Sequence, residues 1–483
     1  MTASSRYQLG GVTPVPWLSR GKVAALGMLA VVGVAMMVVV IQWPNVIVAA
    51  VLVLTVVLFI VVARRRGSDG GLKVLGAGER LRHAIGRRAR WDDFDPDTDD
   101  QPWLLMEPLR VVGVPAGDGT ELAVLQYPTA MVSILKVTGK PHGVKPAAET
   151  LRGEQQQIAL HRALADPGLC LEQLDWITLV RPESEDRVGE GFLDALDPDL
   201  AGPVGASAEE LPGRLAAKAE RLHTYAVLRF STEALFNRVA TPPFTASSGA
   251  EAAYDATSRV ARMLAGRDVQ VLGGLGPGQA AALVRAVLSP DRDPDDVTGC
   301  GDGFWGSCPS WRRVGGHVVT SSGWHHASAG FGLDDWPITP VQGRWLEPVV
   351  FGGHLGPRTI VCQVRLVPRW QARAFSKDQL TTAASKRHRK DTTGEIDAGE
   401  AWSKESAARQ VAHDVVLEGH VGIMPSIRVL LSAPTKRQLA TAMEALNNTV
   451  TDRLNAESLS LDDTRPGVGL LHCLPLGMEV PRR

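Results

Sequence analysis

Forty-one consecutive residues without a charged side chain, Val23 to Ala63, constrain this chain more than any other feature. As one straight helix the run would extend about 60 Å, against a bilayer hydrocarbon core of ~30 Å. Its middle is interrupted by Gln42-Trp43-Pro44-Asn45. Pro44 lacks a backbone donor and disfavours helical geometry at Trp43, Gln42 and Asn45 favour water or headgroups, and Trp43 suits the interfacial belt. The two apolar halves, Val23 to Ile41 and Val46 to Ala63, each approach the roughly 20 residues of one crossing. The pattern predicts a two-helix transmembrane hairpin with its turn at residues 42–45. A signal peptide would end after one short stretch at a small-residue site, whereas here a second stretch runs into arginines.

The flanks orient the hairpin. Arg20 and Lys22 precede it and Arg64, Arg65 and Arg66 follow it, so the positive-inside rule places both termini in the cytoplasm, with these five residues setting topology and meeting lipid. The cysteines, Cys170, Cys300, Cys308, Cys362 and Cys473, are odd in number and scattered, which suits a reducing compartment. Fifty-one Lys and Arg against 52 Asp and Glu leave no global basic excess of the kind that nucleic-acid binders carry.

Composition then divides the chain into a cytoplasmic tail (1–22), the hairpin (23–63), a juxtamembrane linker (64–100), a first cytoplasmic α/β domain (101–290) and a second (291–483). The linker is basic through Arg90, where Leu72, Leu75, Leu81 and Ile85 give a short helix an apolar side; it reads as a membrane-surface segment or as a solvated linker helix. It turns acidic in WDDFDPDTDDQPW, which lacks the EF-hand's glycine and terminal glutamate and reads as a solvated acidic loop.

Beyond residue 100, short apolar runs alternate with longer helical ones, an α/β or α+β pattern. Predicted strands are ELAVLQY, MVSILKV, DWITLVR, TYAVLRF, VQVLGG, GHVVTSS, TIVCQVRLV, SIRVLLS and GLLHCLPL; predicted helices cover Ala147 to Leu164, Ala208 to Leu222, Ala250 to Leu264, Gly278 to Leu288 and Lys436 to Leu454. SIRVLLS, a helix opened by Thr435 and GLLHCLP read as the split βαβ unit of a ferredoxin-like module, and the segment from DWITLVR to TYAVLRF has the same shape. Residues 368–419 are charged and helix-permissive, and are expected to form two helices of a protruding arm. Its cluster Lys386, Arg387, His388, Arg389 and Lys390 lacks interleaved aromatics, so a partner contact with acidic protein or lipid, or a solvated face, fits better than nucleic acid.

Motifs for catalysis are missing or incomplete. Gly273 to Ala281, GGLGPGQAA, is a Gly-rich strand-to-helix turn without the lysine and hydroxyl of a phosphate-binding loop. Cys300 and Cys308 are eight positions apart without the second close pair that zinc prefers, and His317, His325 and His326 follow. His325 and His326, adjacent on a presumed strand, would point to opposite faces. No cofactor, metal or catalytic group is assigned, and the chain reads as non-enzymatic; an enzyme using the Gly-rich turn or the Cys/His loop is the alternative of another class.

The hairpin, the basic juxtamembrane stretch, Trp336-Pro337 leading to WLEPVVFGG, RTIVCQVRLVPRWQARAF, the charged arm, HVGIMPSIRVLLSAPTKRQLATAMEALNN and GLLHCLPLGME occur in one order. That order resembles a family of actinobacterial integral membrane proteins linked to conjugation-like type IV secretion. Their soluble part is similar to the non-ATPase half of the secretion ATPase, preceded by a PrgI-like hairpin. The resemblance implies a structural subunit of a hetero-oligomeric plasma-membrane complex that docks a separate ATPase. A looser likeness is to the EccE component of type VII secretion, also a hairpin followed by a cytoplasmic α/β domain.

Overall fold

The computed structural model describes residues 110–116, 119–127, 129–139, 156, 159–183, 220–238, 246–267, 269–300, 308–331, 346–367, 369–393, 405–406, 409–410, 413, 422–454, 460–462 and 465–478. The predicted hairpin, its turn Gln42 to Asn45, the flanking basic residues and the linker lie outside the described residues. Among the described residues no helix is long and apolar enough to cross a membrane.

The strands are β1 (Arg110–Pro115), β2 (Glu121–Gln126), β3 (Ala130–Gly139), β4 (Leu171–Pro182), β5 (Glu220–Ser231), β6 (Val269–Gly274), β7 (Trp311–Val314), β8 (His317–Thr320), β9 (His325–Phe331), β10 (Arg358–Val367), β11 (Gly422–Ala433) and β12 (Ser460–Leu461). The main helices are α1 (Thr232–Arg238), α2 (Ala246–Ala265), α3 (Pro277–Leu288), α4 (Arg369–Thr393), α5 (Lys436–Arg453) and α6 (Pro466–Leu471). All twelve strands form one sheet in which every described pair is antiparallel, an α+β architecture.

Strand order along the sheet is β1-β2-β3-β5-β4-β10-β11-β9-β8-β7, with β6 on β3 and β12 on β9. Read outward from the β4–β10 pair, the two halves repeat one connectivity. In the first, β5, α2 and β6 make a strand–helix–strand crossover around β3; in the second, β11, α5 and β12 do the same around β9. Because β3 and β9 are antiparallel to both of their crossover partners, the outer strands of each unit run parallel without touching. The boundary expected near residue 290 falls between these halves, which belong to one compact unit and share the sheet.

Alternation along the strands sorts the core into two faces. One face carries two separate apolar cores: Val124, Met131, Leu174 and Phe230 under α2, and Val180, Ile360, Val429 and Leu431 under α5. The other face carries a single core that runs through both halves, with Ile134, Ile177, Val361 and Leu430 beneath α3 and the segment Leu470–Leu476. Helix α5 starts where its chemistry requires, with the Thr435 hydroxyl accepting from Gln438 N at 3.3 Å as N-cap.

Three predicted elements differ. GLLHCLPL is not a strand: Pro466 opens α6 at a position where its missing donor is no loss, and the chain turns through residues 472–476. A short apolar run buried on all sides has no period to separate strand from helix, and Ser460–Leu461 closes the split unit instead. The β4 and β5 strands are direct antiparallel neighbours, so they do not form the second split unit; β5, α2 and β6 do. Residues 220–222, assigned to a helix by pattern, begin β5. The arm's first helix, α4, is continuous through the basic cluster to Thr393, and residues 405–406, 409–410 and 413 are helical beyond it.

The two halves are also stapled by a buried ion pair. Arg358, at the start of β10, is 2% exposed and uses all five guanidinium donors. It donates to both Glu220 carboxylate oxygens at 2.7 Å, and to the carbonyls of Val349 (2.7 Å), Val350 (2.6 Å) and Gly356 (2.7 Å). Glu220 opens β5, two strands away across β4. Removing one partner strands a buried charge, so Glu220→Ala is expected to cost about 3–5 kcal/mol and Glu220→Gln less, read as a lowered urea midpoint. A shift of under 1 kcal/mol for both would show that the staple is dispensable.

Candidate functional site

The face beneath α3 and residues 470–478 collects most of the buried polar side chains of the sheet, and its centre is the β4–β10 junction. Asp175 on β4 pairs across the junction with Gln363 on β10 and is 2% exposed. Its carboxylate accepts from Gln173 Nε2 at 2.8 and 3.0 Å, and Gln363 Nε2 stands 3.5 Å away. Those two amides also donate to the Met478 carbonyl, at 3.3 and 3.2 Å, while Arg229 of β5 donates to the Gly477 carbonyl at 2.9 Å. Gly477 needs its freedom: its φ is +58°, and a Cβ there would meet Val132 at 3.0 Å. The segment arriving from α6 is thus tied across both halves, directly over Asp175.

Electrostatics follow from this enclosure. Burial pushes the Asp175 carboxyl up to about 7, against the smaller downward pull of the two glutamines and of Arg229. Next to it, burial pushes the Cys362 thiol up to about 12, with the Asp175 charge adding to the rise. Gln363 Oε1 is buried without a hydrogen-bond partner. A carboxyl that titrates near neutrality is a common mark of catalysis, but this one is sealed under the chain rather than open to a substrate. The chemistry it supports is a proton-linked tie.

Two further polar ties lie on the same face. Asp462, just past β12, accepts from Ser328 Oγ at 2.9 Å and pairs with Arg428 of β11. Gly469 of α6 rests on this group so closely that a Cβ would stand 1.9 Å from Ser328 Oγ. His326 Nδ1 and Ser432 Oγ are 2.9 Å apart, and His326 Nε2 is 3.1 Å from the Leu288 carbonyl at the end of α3; burial pulls this imidazole down to about 4. It is a neutral structural histidine.

The groups singled out by pattern meet only in pairs among the described residues. His325 lies on the opposite face from His326, as alternation requires, and its Nδ1 is 3.0 Å from His317 Nε2 with the rings stacked at 5.1 Å. Burial, then the His325 charge, lowers the His317 basicity. Cys300 is buried against Ala281 and Ala282. Cys308 is pushed up to about 12 by burial and by Cys300, the reverse of what a thiolate ligand or nucleophile needs. Among the described residues no group of three or more His, Cys, Asp or Glu could hold a metal ion.

At the Gly-rich turn the Gly276 N–H is taken by Gln279 Oε1 at 2.9 Å. Glu121 crowds the same corner: a Cβ on Gly113 would meet Glu121 Oε2 at 2.6 Å and the Pro277 ring at 3.5 Å. A carboxylate therefore stands where an incoming phosphate would have to approach. The basic residues Lys386, Arg387, Arg389 and Lys390 occupy little more than one turn of α4, far along the helix from its buried base, with His388 and Arg389 exposed.

Sequence reasoning passed over Asp175. Its one signal was LEQLDWITLV, a strand whose polar Gln173 and Asp175 alternate with Leu174 and Trp176 and so share a face.

Because Asp175 keeps its proton longer when folded than when unfolded, stability falls as pH rises from about 4 to about 7 and levels off above. Asp175→Asn is expected to abolish that slope and to be the more stable form at pH 8, by roughly 1–4 kcal/mol. Near pH 4 the two should differ little; parallel urea titrations at both pH values check the sign. Comparison with known proteins finds no matching family model and no matching curated sequence.

Proposed function

We propose that this chain is a non-enzymatic structural subunit of a bacterial secretion or conjugative DNA-transfer apparatus of the type IV kind, anchored in the plasma membrane and docking a separate ATPase. The observation that carries the reading is the uncharged run Val23 to Ala63, broken at Gln42 to Asn45 and flanked by basic residues on both sides. A hairpin of that kind commits little of the chain to the far side of the membrane and leaves the α+β body in the cytoplasm.

The body supports a scaffolding role. Its two crossover units have the split βαβ connectivity of ferredoxin-like modules, and its buried carboxylates, histidines and thiols are engaged in packing. The helix α4 projects charged residues from this body and offers a surface for other subunits. An EccE-like place in a type VII system shares the anchor and the α+β body, and the class of ATPase bound distinguishes the two.

A cysteine at Asn45 is expected to react with an impermeant thiol reagent in intact cells, and one at Ser68 only after permeabilisation; labelling of both, or of Ser68→Cys alone, would overturn the topology. A tag on this chain should recover a hetero-oligomeric complex containing an ATPase in mild detergent. Recovery of the chain by itself would count against the scaffold reading.

A further inference from the structure

The β7–β8–β9 meander at one end of the sheet brings two histidines together on the face that α5 covers. Cross-strand partners share a face, and the register runs Arg312↔Val319, Val319↔His325 and His325↔Ala433 across β7, β8, β9 and β11, with His317 two positions from Val319 on β8. His317 Nε2 and His325 Nδ1 meet at 3.0 Å, with their rings stacked 27° from parallel. His317 is buried and His325 half-buried, so the pair is reached from the His325 side. Both belong to one hairpin, closed by Thr320 N donating to the Trp324 carbonyl and Gly323 N to the Thr320 carbonyl, each at 2.9 Å.

That separation is the bite of a chelate. At roughly 2.0–2.1 Å between a metal and an imidazole nitrogen, two nitrogens 3.0 Å apart subtend about 94° at the ion, close to the ~90° of neighbouring positions in a tetragonal centre and below the ~109° of a tetrahedral one. A neutral imidazole carries one ring proton, so the contact becomes a chelate once both protons sit on the far nitrogens, His317 Nδ1 and His325 Nε2. The surroundings keep the rings neutral: burial first, then His325 and Lys436, lowers the His317 basicity. They also select the ion. Residues 308–331 include no Asp or Glu, so the meander offers nitrogen and none of the carboxylate oxygen that Mg(II) and Ca(II) prefer. Lys436 at the start of α5 and the exposed Arg312 on the same face oppose any cation attracted by charge alone.

We propose that His317 and His325 chelate an imidazole-seeking divalent transition-metal ion of the Cu(II) type, with its remaining positions open to water or an incoming ligand. The inference goes beyond the secretion reading and does not depend on it. Cu(II) heads the order of affinities for nitrogen sites and prefers tetragonal geometry. Bound here, it cross-links β8 to β9 beside the first turn of α5. Among the described residues no third His, Cys, Asp or Glu completes the set, so this is an exchangeable two-nitrogen site rather than a closed structural one.

The test titrates Cu(II) into the full chain in detergent, purified without a polyhistidine tag. Expected are one tightly held Cu(II) per chain and an electron paramagnetic resonance signal split by two nitrogens, both lost as pH falls from 7 to 5 and the imidazoles protonate. His325→Gln, at the half-buried position, should weaken binding at least tenfold and remove one nitrogen from the signal, and His317→Ala should do the same. Intact circular dichroism of each variant separates loss of a ligand from loss of fold. The exposed His354 is the control, with His354→Ala leaving both readouts unchanged. A hundredfold excess of Mg(II) should not compete. Three results would overturn the site: no Cu(II) held by the unaltered chain, binding as tight in folded His325→Gln, or a two-nitrogen signal that survives both substitutions.

Discussion

The antiparallel pairing of β4 with β10 is the contact on which the rest of this fold depends. Each half of the chain builds a five-strand path that ends in one of these two strands, and neither strand would have its second neighbour without the other half. An unpaired central strand would expose a row of backbone donors and acceptors together with the apolar side chains Ile177 and Val361. Joining the halves removes that edge. Arg358 reinforces the seam from one end by reaching over β4 to Glu220, and the Gln173–Asp175–Gln363 cluster does so toward the other.

The same seam explains why the two faces differ. On one face α2 and α5 each cover a separate apolar core, and each core takes side chains from across the seam, Val364 and Leu366 under α2 and Val180 under α5. On the other face a single core spans both halves, and the chain following α6 crosses the junction over Asp175. A segment that crosses between halves must carry backbone carbonyls over buried surface, and each needs a donor. Gln173, Gln363 and Arg229 supply those donors. Burial of Asp175 follows from satisfying the crossing chain, and its raised basicity follows from burial.

Much of the secondary structure was legible because its signals were local. The β11–Thr435–α5 unit shows an apolar run, an N-capping threonine and a 3.6-residue period, and it folds as read. The opposed faces of His325 and His326 followed from strand alternation alone. Reading failed where the deciding contact was distant. GLLHCLPL became a helix and turns because Gly469 must sit against Ser328 and Asp462, residues on other elements. Nothing in DWITLVR or TYAVLRF told that they would be direct antiparallel neighbours rather than the outer strands of a crossover.

The sequence by itself determined the uncharged run with its Trp-Pro break, the alternation that divides the strands into two faces, the helix caps and the separation of acidic from basic segments, since each depends on neighbours within a few positions. Only the tertiary structure decided that the halves share one sheet and that Asp175 loses contact with water. Those outcomes rest on pairings between residues up to 305 positions apart, such as Gln173 with Met478, whose free energy exists only once the intervening chain has folded to bring them together.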